Sequence, residues 1–304
     1  MSSSAPQFAS RIALSPDRLA RERDRIIDFL QRTLGGDPAV CALSGGLDSD
    51  VTTRLVVEAI GPACVKAFIV FQDDFEPRFI TNAERLADSL GLELIRIDLR
   101  GMPRMLVSAL ANADAGLNFR SDGLLDVGRA KCSLRTTVLS TYQDRGFRII
   151  GSSNRTEWLT GFFLPLGDGI GHAQPIVHLY KSQVAQLARL VGTADEVIDQ
   201  PGSSGFWEGA EDLLDLAFWL HAGGPIRQQR DYTDDDIEAV LKIRRCLSRE
   251  LIDAVIDDLQ RGGAVPGIVA ASGLPENVVR SIVTLLDSAA WKHHPLFERL
   301  EPLA

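Results

Sequence analysis

The segment whose residues could most directly do chemistry is SGGLDSD, residues 44–50. It follows the apolar sequence AVCAL, and its two glycines would let the backbone come close to a bound anion, because glycine has no side chain. A helix that starts near Asp48 or Ser49 would present unpaired N–H groups and the positive end of its dipole to that anion. These features predict a phosphate-binding loop.

The loop differs from the common phosphate loops in carrying aspartates and no lysine. It therefore lacks the GxxxxGK[ST] pattern, and it also lacks the GxGxxG pattern of dinucleotide-binding turns. We interpret Asp48 as a magnesium ligand, because Mg²⁺ sites in proteins usually combine one or two carboxylates with phosphate oxygens. The residues alone leave a simpler alternative open, in which Asp48 is only the N-cap of a helix that follows a strand.

Hydrophobic periodicity indicates the elements that would position this loop. Four apolar segments predict strands, with helices between them; the strand segments are AVCAL, VKAFIVF, LELIRIDL and FRIIGSS. This alternation predicts an α/β fold with a doubly wound, mostly parallel sheet, and the pattern beyond Tyr180 predicts a C-terminal helical layer. Ligands bind such sheets at the carboxyl ends of the strands, so SGGLDSD and GSSNRTE (residues 151–157) should face one crevice.

Composition and charge argue against several other classes of protein. The net charge of −9 disfavours a nucleic-acid partner, since backbone binding needs a basic surface. No apolar run approaches the roughly 18 residues that span a bilayer, which argues against a membrane partner. The first residues show no signal-peptide pattern, and we expect residues 1–15 to be a disordered tail of a single domain spanning 1–304. The cysteines show no metal-ligand spacing and indicate buried free thiols in a cytoplasmic protein; they are Cys41, Cys64, Cys132 and Cys246.

The loop sequence SGGLDSD resembles the SGGxDS pyrophosphate loop of the N-type ATP pyrophosphatases, which adenylate a carboxylate or carbonyl group. Within that group, IIGSSNRTEWLTGFFLPLGDGIGHAQPIVHLYKSQVAQLARLVG is similar to the NAD synthetase stretch that runs from GT(D/N)xxE through GYxTKxGDG to a Lys-x-Gln helix. QPGSSGFWEGAEDLLDLA and WKHHP are weaker likenesses to the family's PSADLW…QxDE and HKR…P elements. The resemblance covers most of residues 20–297. It implies an adenine-nucleotide alpha-hydrolase-like fold and a ligase that adenylates a carboxylate, releases pyrophosphate and amidates the product with ammonia.

The resemblance also implies roles for individual positions. Asp48 and Glu157 match the magnesium carboxylates, and Lys181 matches a lysine that meets the phosphates; these three are the expected catalytic residues. The positions expected to bind ATP are Ser44, Gly45, Gly46, Leu47, Asp48, Ser49, Ser152, Lys181 and Ser203. The positions expected to bind the dinucleotide substrate are Arg135, Asp168 and Lys292.

Departures from the family pattern all fall on the expected acceptor side. Pro165 replaces a lysine and has neither a charge nor an N–H to donate, Gly205 replaces the Asp of PSADLW, and QxDE has Ala210 and Leu213 in place of its Gln and Glu. Three functions therefore remain open at this point. The protein could amidate deamido-NAD, it could be a paralogue that amidates a different (secondary-metabolite) carboxylate, or it could be a non-catalytic nucleotide-binding protein.

The family resemblance implies partners as well. The chain matches the ammonia-using form in length, and an external source could supply the ammonia. Homologous enzymes of this form are homodimers, and the apolar segments LLDLAFWL and VVRSIVTLLDSAAW could form such an interface or equally a core. We expect a homodimer, which light scattering would test.

Overall fold

The computed structural model describes residues 4–73, 76–203, 209–228 and 230–293. Within these residues four parallel strands form one sheet in the order β3-β2-β1-β4. The strands are β1 (Ala39–Ala42), β2 (Val65–Phe71), β3 (Leu94–Asp98) and β4 (Arg148–Ile149). Ala39 of β1 pairs with Val65 on one side and with Arg148 on the other, so the chain order reverses between β1 and β4. This confirms the doubly wound parallel sheet.

Helices surround the sheet and continue into a C-terminal layer. They are α1 (Ser4–Ser10), α2 (Pro16–Leu34), α3 (Leu47–Ile60), α4 (Pro77–Leu90), α5 (Met102–Ala113), α6 (Leu124–Gln143), α7 (Arg155–Thr160), α8 (Lys181–Val191), α9 (Asp195–Asp199), α10 (Asp212–Ala222), α11 (Asp234–Cys246), α12 (Arg249–Gln260), α13 (Val265–Ser272) and α14 (Glu276–Ala289). No helix in the described ranges is both long and apolar enough to cross a bilayer.

Alternating residues of the strands bury both faces of the sheet. Cys41 of β1 belongs to a core formed with α2, α3, α4 and α8, in which Leu30 is fully buried. The neighbouring Val40 faces the opposite side, where it joins Phe68 and Leu139 under α6. This two-residue alternation follows from the pleat of a strand, and helices on both faces are what a buried parallel sheet requires.

The C-terminal helices form a second core with the start of the chain. Residues 4–10 do not form the disordered tail that the sequence indicated, because they form α1, and Phe8 and Ile12 are buried in this core. The long helical pattern after Thr233 is two helices, since Ser248 begins α12 by accepting a hydrogen bond from the Leu251 amide at 3.2 Å. Of the four free cysteines, Cys64 is exposed rather than buried.

The two aspartates of SGGLDSD have different environments. They lie two residues apart in α3, which places their side chains about 200° apart around the helix axis. Asp50 faces the interior, is only 4% exposed, and accepts hydrogen bonds from Arg54 Nε at 2.7 Å and from Thr193 Oγ1 at 2.6 Å. Asp50 therefore stabilises the packing of α3, and the loop has one aspartate available for chemistry.

We predict that Asp50→Asn lowers the free energy of unfolding by about 3 kcal/mol, because loss of one partner leaves the other charge of a buried ion pair uncompensated. Urea-induced unfolding measures this change. Glu238→Gln is the matched control, since Glu238 forms an exposed i,i+4 pair with Lys242 at 2.8 Å, and it should leave stability nearly unchanged. Equal stability losses in the two variants would contradict the structural role of Asp50.

Candidate active site

The loop between β1 and α3 is closed onto the first turn of the helix by hydroxyl groups. The Ser44 amide donates to Ser49 Oγ at 3.2 Å, and Ser49 Oγ donates to the Gly46 carbonyl at 3.0 Å. The hydroxyls of Ser44 and Ser49 lie 2.9 Å apart. These contacts fix the backbone at the carboxyl end of β1, where α3 directs its N-terminus.

Gly45 is required by its backbone conformation and by its surroundings. Its φ of +73° is in the left-handed region, and an added Cβ would lie 2.0 Å from the carbonyl oxygen of Phe79. Its own carbonyl accepts from Asn82 Nδ2 at 3.2 Å and from Gln200 Nε2 at 3.1 Å. The loop thus lies directly against α4, and only glycine fits there.

The segment that follows β4 brings a second polar group to this loop. Asn154 is fully buried and caps α7, since its Oδ1 accepts from the Glu157 amide at 3.0 Å. Its Nδ2 donates to Asp48 Oδ1 at 3.2 Å. Asn154 therefore connects the two loops at the switch point of the sheet. The sequence reasoning assigned it no role, although its place before a helix is a recognisable capping signal.

Lys181, the first residue of α8, joins the two carboxylates. Its ammonium group donates to Asp48 Oδ2 and to Glu157 Oε1, the latter at 3.4 Å. The Lys181 side chain is 14% exposed, that of Asp48 16% and that of Glu157 25%, so the cluster is largely shielded from water. The structure thus brings together the three residues that the sequence singled out as catalytic.

Burial and mutual charge shift the proton affinities in this cluster. Burial raises the pKa of Glu157 above its ordinary value, Lys181 opposes that shift, and the Asp48 carboxylate adds to it. Burial alone would lower the pKa of Lys181, but the neighbouring Asp48 and Glu157 carboxylates outweigh it and raise that pKa. The Lys181 ammonium group therefore favours the ionised form of Glu157 against the burial that opposes it.

Two further acids near this cluster were not among the predicted site residues. Asp212 begins α10, and burial raises the pKa of its carboxyl while Lys181 opposes the shift. Asp253 of α12 is fully buried, and desolvation raises its pKa to about 6. Asp212 retains the Asp of the QxDE element and was recognisable for that reason, whereas no local pattern marks Asp253.

A cavity of about 810 Å³ extends from this cluster across the carboxyl ends of the strands. Its walls include every predicted site residue except Gly45: Ser44, Gly46, Leu47, Asp48, Ser49, Arg135, Ser152, Glu157, Asp168, Lys181, Ser203 and Lys292. A second cavity of about 440 Å³ shares Glu157, Lys181 and Asp212 with it and lies on the side of α12. The large cavity is roomy enough for a nucleotide-sized ligand.

The predicted acceptor residues are engaged by the protein itself. Asp168 Oδ1 accepts from the Leu164 amide at 2.7 Å, and Arg135 Nε donates to Gln72 Oε1 at 3.0 Å. Lys292 is 8% exposed, and its ammonium donates to the carbonyls of Gly161 at 2.5 Å and Phe163 at 2.6 Å. These contacts fix the cavity wall.

Trp291 is 48% exposed and lines the same cavity. The departure at Gly205 lies outside the described residues.

A family model described as NAD synthase matches residues 22–245. The NH(3)-dependent NAD(+) synthetase of Methanosarcina acetivorans is 32% identical over 201 residues, which are 64% of this chain and 76% of that protein.

Two solved structures show the same fold at low sequence identity. The structure of NMN synthetase from Francisella tularensis superposes with a TM-score of 0.68 at 21% identity and covers 92% of this chain and 98% of its own. The structure of the NH3-dependent NAD synthetase from Campylobacter jejuni superposes with a TM-score of 0.66 at 19% identity and covers 95% of this chain and 100% of its own.

Proposed function

The chain belongs to the NAD synthase family, and from that premise we propose that it is an ATP-dependent ligase that converts deamido-NAD to NAD with ammonia. NAD synthetases form C–N bonds, and two relatives that are 32% and 28% identical to this chain are NH(3)-dependent NAD(+) synthetases. The observation that carries the proposal is the Lys181 ammonium group held between Asp48 and Glu157 at the switch point of the sheet. The other acceptor carboxylates and the non-catalytic alternative are not favoured by the comparisons.

The reaction comprises two transfers that this cavity can accommodate together. A carboxylate oxygen of the acceptor attacks the α-phosphorus of ATP, the bond to the β-phosphate oxygen breaks, and pyrophosphate leaves. Ammonia then attacks the acyl carbon, AMP leaves with the electron pair of the acyl–oxygen bond, and one proton is lost from nitrogen. No side-chain nucleophile is needed, so positioning and electrostatics supply most of the rate.

ATP binding is assigned to the two loops that meet beside the cluster. The hydroxyl-closed loop of residues 44–49 and the N-terminus of α3 offer N–H groups and a positive dipole end to the phosphates. Apolar side chains at the strand ends line the same cavity and suit an adenine ring; they are Ala42, Phe68, Val70, Leu139 and Ile150. Ser152 and Ser203 lie on the cavity wall as additional contacts.

The residues present fit a magnesium ion. Both carboxylates already share one cation, the Lys181 ammonium, and carboxylate oxygens are the ligands that Mg²⁺ prefers. No cluster of three or more acidic, histidine or cysteine side chains suited to a metal occurs in the described part of the chain, so phosphate oxygens and water would complete the coordination. We assign Asp48 and Glu157 as the ligands, and the bound ion would neutralise phosphate charge. Lys181 then stabilises the negative charge that develops on the leaving pyrophosphate.

We assign the acceptor to the part of the cavity lined by Arg135, Asp168 and Lys292. Pro165 lines the same cavity and offers no charge. Three arginines are also among the lining residues; they are Arg129, Arg227 and Arg230. Guanidinium groups bind phosphates well, and they supply the cationic surface that a dinucleotide needs where the family lysine is missing.

A test of this function measures AMP, pyrophosphate and amide formation from ATP and ammonium with a panel of carboxylates. We predict that deamido-NAD has the highest kcat/KM, with AMP and NAD formed in equal amounts. The panel includes nicotinic acid mononucleotide, because a protein of the same fold is an NMN synthetase. A higher kcat/KM with the mononucleotide or with an unrelated carboxylate would contradict the assigned substrate.

We predict that Asp48→Asn and Glu157→Gln each reduce AMP formation at least about a hundredfold, because charge stabilisation at developing charges contributes on that scale. Both changes preserve side-chain shape, so circular dichroism should show an intact fold. Glu58→Gln is the control, since it removes an exposed carboxylate that pairs with Arg23 outside the cavity. Near-normal turnover of either variant at saturating magnesium would remove that residue from the metal site.

A further inference from the structure

The buried carboxylate of Asp253 lies on α12, in the C-terminal helical layer. Asp253 belongs to the wall of the smaller cavity, together with Glu157 and Lys181. It is fully buried, and both of its oxygens accept hydrogen bonds. Oδ1 accepts from Thr156 Oγ1 at 2.5 Å, and Oδ2 accepts from the Ser182 amide at 2.7 Å. A buried carboxylate costs free energy unless such partners compensate it, so its presence here calls for a function.

The hydroxyl of Thr156 extends this contact to Lys181. Because Thr156 donates its proton to Asp253, its oxygen is free to accept, and it accepts from the Lys181 amide at 2.9 Å. The first two amides of α8 are therefore bound by Thr156 and Asp253. A negative charge near a helix N-terminus is also favourable to the helix dipole.

The residues that contact Asp253 are the sequence neighbours of the catalytic pair. Thr156 directly precedes Glu157 in α7, and Ser182 directly follows Lys181 in α8. One carboxylate thus holds the side chain of the residue before the acid and the backbone amide of the residue after the lysine. Their side chains then meet, with Lys181 Nζ 3.4 Å from Glu157 Oε1.

We propose that Asp253 is a positioning residue, which sets the Lys181 ammonium group against Glu157 and Asp48 through Thr156 and the N-terminus of α8. The proposal rests on the proposed function, since it assigns Asp253 to the adenylation step of that site. It assigns no contact between Asp253 and the substrates. The C-terminal helical layer thereby takes part in catalysis through one side chain.

The experiment compares Asp253→Asn, Thr156→Val and Thr156→Ser with the full-length enzyme. Asp253→Asn and Thr156→Val should each lower kcat for AMP formation about ten- to a hundredfold, since misplacement by about 1 Å costs up to that much. Calorimetric binding of ATP should change little. Thr156→Ser keeps the hydroxyl and should retain most of the activity. The double variant that combines Asp253→Asn with Thr156→Val should have a kcat little lower than that of either single variant, because both changes remove the same contact.

Asp258→Asn is the matched control on the same helix, because Asp258 pairs with Arg11 at 3.0 Å and faces α1 instead. It should leave kcat unchanged. Losses of kcat that are no larger in Asp253→Asn and Thr156→Val than in Asp258→Asn, or that multiply in the double variant, would overturn the proposal.

A crystal structure of Asp253→Asn gives a readout that does not depend on activity. We expect Lys181 Nζ to have moved from its position between Asp48 and Glu157, and an unmoved ammonium group would overturn the positioning role. An inactive wild-type enzyme with a displaced Lys181 in the variant would instead contradict the proposed function and leave the positioning role supported. The two failures are therefore distinguishable.

Discussion

Two carboxylates in one shielded place repel each other, and the structure of the site depends on the cation that lies between them. Lys181 supplies that cation to Asp48 and Glu157. The positive charge of Lys181 opposes the rise that burial causes in the pKa of Glu157. The same arrangement suits a metal ion and the phosphates of ATP. A metal ion would bring positive charge to the two carboxylates, and the phosphates would bring negative charge to the metal ion and to Lys181.

The fold brings these groups together although they are far apart in the chain. Parallel strands end at a common edge, and β1 and β4 are neighbours in the sheet, so the residues that follow them meet. Asn154 connects these two loops directly through Asp48. Lys181 belongs to a third element, α8, and Asp253 of α12 holds the start of that helix by accepting from the Ser182 amide. The site is therefore assembled from both hydrophobic cores.

Much of the sheet could be predicted from the sequence, because the strand segments are rich in apolar residues, which are continuous in β1 and alternate with charged residues in β3. Strand β2 covers the predicted VKAFIVF without change. The proximity of Asp48 and Glu157 also followed, since both come after predicted strands.

What could not be predicted depends on contacts between distant segments. Asp253 lies in an ordinary helical pattern, and only the packing of α12 on α7 and α8 gives it a role. The helix at the start of the chain is only seven residues long and is held by Phe8 in the second core. The different environments of Asp48 and Asp50 likewise depend on Arg54 and Thr193. The roles of the individual site residues remain predictions.

The central claim is that this cluster activates a carboxylate by transferring AMP to it. Oxygen-18 in the carboxylate of deamido-NAD tests that claim most directly, by mass spectrometry of the products after turnover with ATP and ammonium. Attack of a carboxylate oxygen on the α-phosphorus places one labelled oxygen in AMP and none in pyrophosphate. Label in inorganic phosphate accompanied by ADP, or AMP that carries no label, would contradict the account.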